Sequence, residues 1–248
     1  MMKILATYKI NFRHTKSKSY RTTYRSKLFI TNDKSVFLDE KLAKWLDQKM
    51  PPGPEKANER MALGPPKATY IIEKDHNSLN TRFIQEHLRK EHIGYEEALM
   101  THELWNILPD TSTVTGLLSY KATCTFGGRN WTAWFAPEIP VSDGPYKFAG
   151  LPGLIVKLDS DDGDYTIILS AMERLNESGS IPKIPDYELV PKKKFFELRE
   201  ISANPVLMME SNGGTLGGIK LNGKVLTREE WILYLNESIA DQNHIEKQ

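Results

Sequence analysis

The first pattern along the chain is alternation. Leu5 to Phe12 and Tyr20 to Ile30 place apolar and polar residues in turn, with Tyr8, Ile10 and Phe12 on one face and a polar connection, Arg13 to Ser19, between the runs. A period of two predicts strands, here an opening hairpin. The period changes at Asp39. Leu42, Trp45 and Leu46 fall at helical spacing behind Asp39 as N-cap, and Pro51-Pro52 ends the run, so a helix is predicted over Asp39 to Met50. Pro51 to Pro66 holds five prolines and two glycines and reads as a mobile loop, an excursion from one domain rather than a linker between two. Lys67 to Lys74 reads as a strand, and Arg82 to Leu88 fits strand or helix, with strand preferred.

From Leu104 the pattern sharpens. Leu104 to Leu108 is a short apolar strand closed by a turn at Pro109-Asp110-Thr111. Two alternating runs, Leu117 to Phe126 and Arg129 to Pro137, then flank Gly127-Gly128, a strong hairpin signal because both central turn positions need positive φ. A two-residue turn sets Phe126 opposite Arg129, Cys124 opposite Trp131, Ala122 opposite Ala133 and Tyr120 opposite Phe135. That face is expected to be core, which makes Cys124 a packed thiol rather than a nucleophile.

Gly144 to Leu158 follows, the window richest in backbone-dictating residues. Pro152 fixes its own φ and pushes Leu151 into extended backbone, and Gly153 stands where a type II turn needs positive φ. The turn launches a strand, with Leu154, Val156 and Leu158 on one face and Ile155 and Lys157 on the other. Asp159 to Asp164 resembles a calcium loop, but its glycine falls one place early and Ser170 stands where the closing glutamate belongs. A hairpin turn leading to Tyr165–Met172 is the better reading. Further on, Ile181 to Pro185 is extended, Pro191 opens a helix over Lys192 to Ser202, and Ser211 to Lys224, with five glycines, reads as a flexible loop or loose hairpin. Thr227 to Glu230 forms a capping box ahead of a last helix through Trp231, Leu235 and Ile239, and the tail 241–248 is expected to fray.

Composition narrows the function classes. Of 248 residues, 40% are hydrophobic and 26% charged, as in ordinary soluble globular proteins. Lys+Arg number 33 against Asp+Glu 32, so no global field draws in nucleic acid, and Lys192 to Lys194 reads as a solvated helix face. The single cysteine forms no intrachain disulfide. The apolar patch Ile4 to Thr7 is too short for a signal-peptide core, and no stretch approaches the ~20 apolar residues of a membrane helix. His87, His92 and His102 match no compact ligand spacing, so no metal and no cofactor is expected.

The residues from Thr125 to Leu158 resemble the signature of the GLPGLI family, whose hexapeptide stands intact as Gly150, Leu151, Pro152, Gly153, Leu154 and Ile155. The likeness includes Gly128-Arg129, the run Trp131 to Phe135, Ile139-Pro140 and Asp143-Gly144-Pro145, and upstream Leu104 to Ile107 and Lys121-Ala122-Thr123. The resemblance implies a secreted or periplasmic cell-envelope protein of Gram-negative bacteria. Relatives often carry a cysteine where this chain has Ser119, which removes any disulfide the family uses there.

These readings converge on a mainly β (α+β) single domain. It is a strongly curved antiparallel sheet or half-barrel of roughly eight to ten strands with two or three packing helices, the Gly and Pro breaks supplying the curvature. A curved sheet backed by helices encloses an apolar cavity, so the leading expectation is a non-enzymatic binding protein or carrier for a hydrophobic or amphiphilic ligand, or an accessory to an outer-membrane system. Its partner is then that ligand or an outer-membrane protein, and membrane contact is peripheral at most. Candidate contact residues are Arg129, Trp131, Trp134, Asp143, Tyr146 and Lys147, beside rather than within the hexapeptide. A second reading is a docking module with exposed Trp134 and Tyr146 as anchors. A third is a carbohydrate-active hydrolase in which Glu138 and Asp143 supply the carboxylates, Arg129 clamps an anion, and Trp131 or Trp134 stacks a sugar.

Overall fold

The computed structural model describes residues 3–13, 20–47, 54–87, 91–176 and 181–203, with 219–221, 224–227, 229 and 245–246. Two meanders make one sheet. The first runs β1 (Ile4–Arg13), β2 (Arg21–Ile30), β3 (Lys34–Asp39), β4 (Tyr70–Asp75), β5 (Asn80–Glu86) and β6 (His92–Ala98), each strand beside the next. The second is β7 (Asn106–Val114), β8 (Leu117–Phe126), β9 (Arg129–Ala136), β10 (Leu154–Ser160) and β11 (Tyr165–Arg174). Antiparallel pairing of β1 with β11 joins the halves, and β12 (Tyr187–Leu189) adds to β6 in parallel, giving twelve strands. A separate hairpin pairs β13 (Ile219–Leu221) with β14 (Lys224–Leu226), at the end of the glycine-rich stretch read as a flexible loop or loose hairpin. The fold is a mainly β single domain, with three α-helices among the described residues.

The glycine hairpin has the register its sequence predicts, from Phe126↔Arg129 to Tyr120↔Phe135, with Gly127 and Gly128 at φ 57 and 69. The face carrying Ala122, Cys124, Trp131, Ala133 and Phe135 is buried, and burial pushes the Cys124 thiol up to about 12. Asp39 caps α1 (Glu40–Leu46) through the Lys41 and Leu42 amides, and its second oxygen accepts from Lys67 and Ala68, so one carboxylate ties the helix to the start of β4.

Several expectations change. The loop predicted over Pro51 to Pro66 contains helix α2 (Pro54–Leu63). Pro54 suits a first helical position, Glu55 to Leu63 contains no glycine or β-branched residue, and Gly64 closes the helix at φ 67. Pro109 to Thr111 is an irregularity inside the edge strand β7, where proline is tolerated, and the true turn is Thr115-Gly116 with φ 51 and 82. The strand count exceeds the eight to ten expected because β3, β6 and β12 carry weak signals. In β6 the glycine is a packing necessity, since a Cβ at Gly94 would stand 2.8 Å from the Phe83 carbonyl oxygen. The Leu151–Pro152–Gly153 turn is closed by Gly153 N–H donating to Leu151 O at 2.8 Å, a three-residue turn tighter than type II. Positions 230–239 of the last predicted helix lie outside the described residues.

The sheet is covered on both faces. On one side α1 together with Leu175, Ile181, Ile184 and Tyr187 packs over Leu5, Phe29, Val36, Leu38, Ile71 and Ile84. On the other lie α3 (Lys192–Ala203), through Phe195, and the long connection 137–153 between β9 and β10, which brings Ile139, Val141, Tyr146, Phe148 and Leu151 into the larger cluster. Burial on both faces makes β10 nearly continuous in apolar residues, and a bulge between Ile155 and Lys157 breaks its strict alternation.

Gly153 (φ 151) is irreplaceable because an added Cβ would meet Ala136 O at 2.5 Å, whereas Gly116 (φ 82) has open space around it. Gly153→Ala is expected to lower unfolding stability by about 3 kcal/mol or more, and Gly116→Ala by about 1–2 kcal/mol for backbone strain alone. Urea denaturation of the two variants reads the difference.

Candidate functional site

The connection 137–153 is held on the sheet by ions. Lys74, inward-facing on β4 and fully buried, pairs with the carboxylate of fully buried Asp143 and donates to the carbonyls of Gly144 at 2.7 Å and Phe148 at 3.3 Å. Asp143 also accepts from Gly144 N–H at 2.7 Å and lies 3.3 Å from His76 Nε2. Burial holds the Lys74 ammonium below its usual range, against the pull of Asp143. For Asp143, burial pushes up, and Lys74 with His76 and Ser35 overcomes it, leaving the carboxyl below the ordinary value. The His76 imidazole is raised, chiefly by its hydrogen bond to Asp143, with burial opposing and the Asn32 carbonyl assisting.

The crossing connection then presents Tyr146 and Lys147. Tyr146 sits at φ 56, a left-handed conformation that orders its ring against Tyr70 on β4 at 5.5 Å, with Phe83 on β5 at 6.5 Å. Lys147 is 2% exposed and points its ammonium among the rings of Tyr95, Phe83, Tyr146 and Phe126, 4.8 to 6.0 Å from their centroids. It donates to Tyr95 Oη at 2.6 Å and pairs with Glu97 at 2.6 Å and Glu246 at 2.5 Å. Glu246 also accepts from Tyr146 Oη at 2.5 Å.

Beside this cluster opens a cavity of about 250 Å³, walled by Phe12, Tyr24, Tyr70, Phe83, Tyr95 and Tyr165 from six strands and by Phe196 and Arg199 from α3. Ile245 and Glu246, within the tail expected to fray, line it too. Burial raises the phenols of Tyr24, Tyr70, Tyr146 and Tyr165, so the wall offers neutral hydroxyls. Desolvation lowers Arg199, whose guanidinium stacks over Phe196 at 4.7 Å, and the carboxylate of Glu246 opposes that shift.

A larger cleft, about 440 Å³, lies at the loop ends around Ile30, His76, Leu99, Met100, His102 and Val141. His76 opens toward it, but its ring is already engaged by Asp143 and Asn32. It serves the buried ion pair rather than offering a base.

Of the residues singled out in the sequence as contacts, Tyr146 lines the aromatic cavity and Lys147 lies beside it, ion-paired to the lining residue Glu246, and the others do not reach it. Trp131 is fully enclosed, and its indole donates to Phe126 O. Arg129 is buried, pairs with Asp162 and Asp164 and lies over the Tyr165 ring, so the acidic turn 159–164 is organised by an arginine. Trp134 is half-buried on the opposite face of β9, Glu138 is exposed on a turn and Asp143 is enclosed, so Glu138 and Asp143 share no cleft. The strand tyrosines, Arg199 and Glu246 escaped sequence reasoning. One signal was present, namely a lysine, Lys74, on the apolar face of a strand otherwise formed by Tyr70 and Ile72.

Comparison with other proteins gives two findings. A family model described as "Protein of unknown function (Porph_ging)" matches residues 66–157, from just before β4 into β10. No curated protein matches. Two solved structures of PNGF-II, in P21 and C2 space groups, each superpose with a TM-score of 0.60 at 12% identity, covering 82% of this chain and 34% of theirs. The likeness is one of fold, and this chain spans about a third of the PNGF-II chain.

Lys74→Met strips the partner from an enclosed carboxylate and is expected to cost about 3–5 kcal/mol in urea denaturation, with Lys74→Met/Asp143→Leu recovering part of the loss. The raised His76 value gives a pH signature. Its contribution is complete below the unfolded value of 6.5 and is lost as pH rises through the higher folded value, so wild type loses stability relative to His76→Gln across that window. Equal slopes for the two proteins would remove His76 from the network.

Proposed function

We propose that the chain is a GLPGLI-type cell-envelope protein, periplasmic or secreted, whose strongly curved sheet cups an aromatic cavity that binds a hydrophobic or amphiphilic ligand without chemical change. The cavity walled by rings from six strands carries this reading. Connectivity supports the curvature. β6 and β7 stand ten strand intervals apart, about 48 Å in a flat sheet, yet the eight residue steps from Ala98 to Asn106 reach at most ~29 Å. Ring contacts agree: Phe83, Tyr146, Phe148 and Trp131 link β5 to β9 in steps of 6.5, 6.4 and 4.9 Å, where a flat sheet would need roughly 34 Å.

The ligand-binding reading also fits the wall chemistry, since flat rings provide apolar surface and their neutral hydroxyls meet a polar end. The docking reading relied on an exposed Tyr146, which is 2% exposed. The hydrolase reading needs two carboxylates across one site, and Glu246 is the lone carboxylate lining the cavity among the described residues.

Native mass spectrometry of protein purified from its own host is expected to show a retained small molecule, and the neutral dye Nile red is expected to brighten on binding. Thr69→Trp, an exposed position at the cavity wall, is expected to cut dye affinity about tenfold or more with folding intact. A wild-type protein that neither retains a ligand nor takes up the dye overturns the reading.

A further inference from the structure

The carboxylate of Glu246 sits in the cavity as a ligand's head would. Its oxygen is held by Lys147 Nζ and Tyr146 Oη, both at 2.5 Å. The seat is shaped for this segment at the hairpin tip, where a Cβ on Gly127 would stand 2.6 Å from Glu246 Cγ. The charge balance around it is uneven. Glu97 already accepts both Lys147, at 2.6 Å, and Lys192, at 2.5 Å. With Glu246 withdrawn, Lys147 and Lys192 would share Glu97 as their one carboxylate among the described residues, and Arg199 on the adjoining cavity wall would lose the charge of Glu246, beside phenols that stay neutral. A cavity with that surplus favours an anion over a neutral polar group.

Resting on the ligand-binding reading above, we propose that the ligand is an amphiphilic carboxylate whose head takes the Lys147–Tyr146 seat in place of Glu246, with its apolar chain lying among the rings and Arg199 supplying the second cation. Glu246 is then an internal competitor that keeps the seat satisfied when no ligand is bound. The cavity holds on the order of eight water-sized volumes, which suits a short or medium acyl chain. A single carboxylate matches the seat, because Lys147 and Tyr146 both converge on one oxygen of Glu246.

The test compares octanoate with octanol, equal in chain and different in head, by isothermal titration calorimetry on the full chain. Wild type is expected to bind octanoate about tenfold tighter or more. Arg199→Gln is expected to shrink that preference to within about threefold. Glu246→Gln, which removes the competing charge, is expected to tighten octanoate several-fold and to widen its margin over octanol. Equal affinity for the two probes in wild type overturns the head-group assignment and leaves the cavity reading standing. Weaker octanoate binding in Glu246→Gln overturns the competition. Failure of both probes together with failure of Nile red removes the cavity reading as well.

Discussion

The ion pair between Lys74 and Asp143 is the constraint on which the site depends. Both groups are fully enclosed, so each carries a desolvation cost of several kcal/mol, offset only where geometry is good and further hydrogen bonds complete the shell. Here the shell is largely complete: two loop carbonyls accept from Lys74, and a loop amide and His76 reach Asp143. The Lys74 contacts tie β4 to the connection 137–153, His76 adds a tie from the residue just past β4, and the Gly144 amide bond braces the connection itself. The pair therefore fixes where a seventeen-residue crossing lies, and that position puts Tyr146 and Lys147 over the strand rings.

The hexapeptide acts at the end of the same crossing. Gly150 and Gly153 press against backbone, the first against Thr101–His102 and the second against Ala136–Pro137, where no Cβ fits. Trp105 donates its indole N–H to Ala149 O at 2.8 Å, fastening the lead into β7 to the connection. Tyr8 Oη donates to Ile155 O at 2.7 Å, fastening β1 to the start of β10. The motif is thus a device for close backbone approach, and side chains that can carry chemistry lie three and four residues before it.

Local patterns were legible and long-range pairings were not. The Gly127-Gly128 hairpin, the Asp39 cap and the burial of Cys124 follow from nearest neighbours and period, and the structure has them. Asp143 read as a carboxylate beside a turn because its partner lies about seventy positions away on another strand, a distance no period records. Arg129 read as an anion clamp for a similar reason, since its carboxylates arrive from the turn after β10. The cavity was least legible of all. Its wall takes one ring from each of six strands, and each ring alone is an ordinary inward residue.

Burial separates the ions that hold the fold from those that could meet a ligand. Lys74 and Asp143 have no exposed side-chain surface, and their partners are mostly backbone atoms, which move only with the chain. Around Lys147 the arrangement differs. The lysine is 2% exposed, but its carboxylates Glu97 and Glu246 are 21% and 17% exposed and stand on β6, one strand in from the sheet edge, and on the tail. Withdrawing either would leave Lys147 still paired and still among its rings, so the cost of opening is far below that of breaking the enclosed pair. A cation rigidly held on one side and loosely countered on the other is the arrangement a reversible anion site requires. The rigid part is what the crossing connection and its buried pair provide.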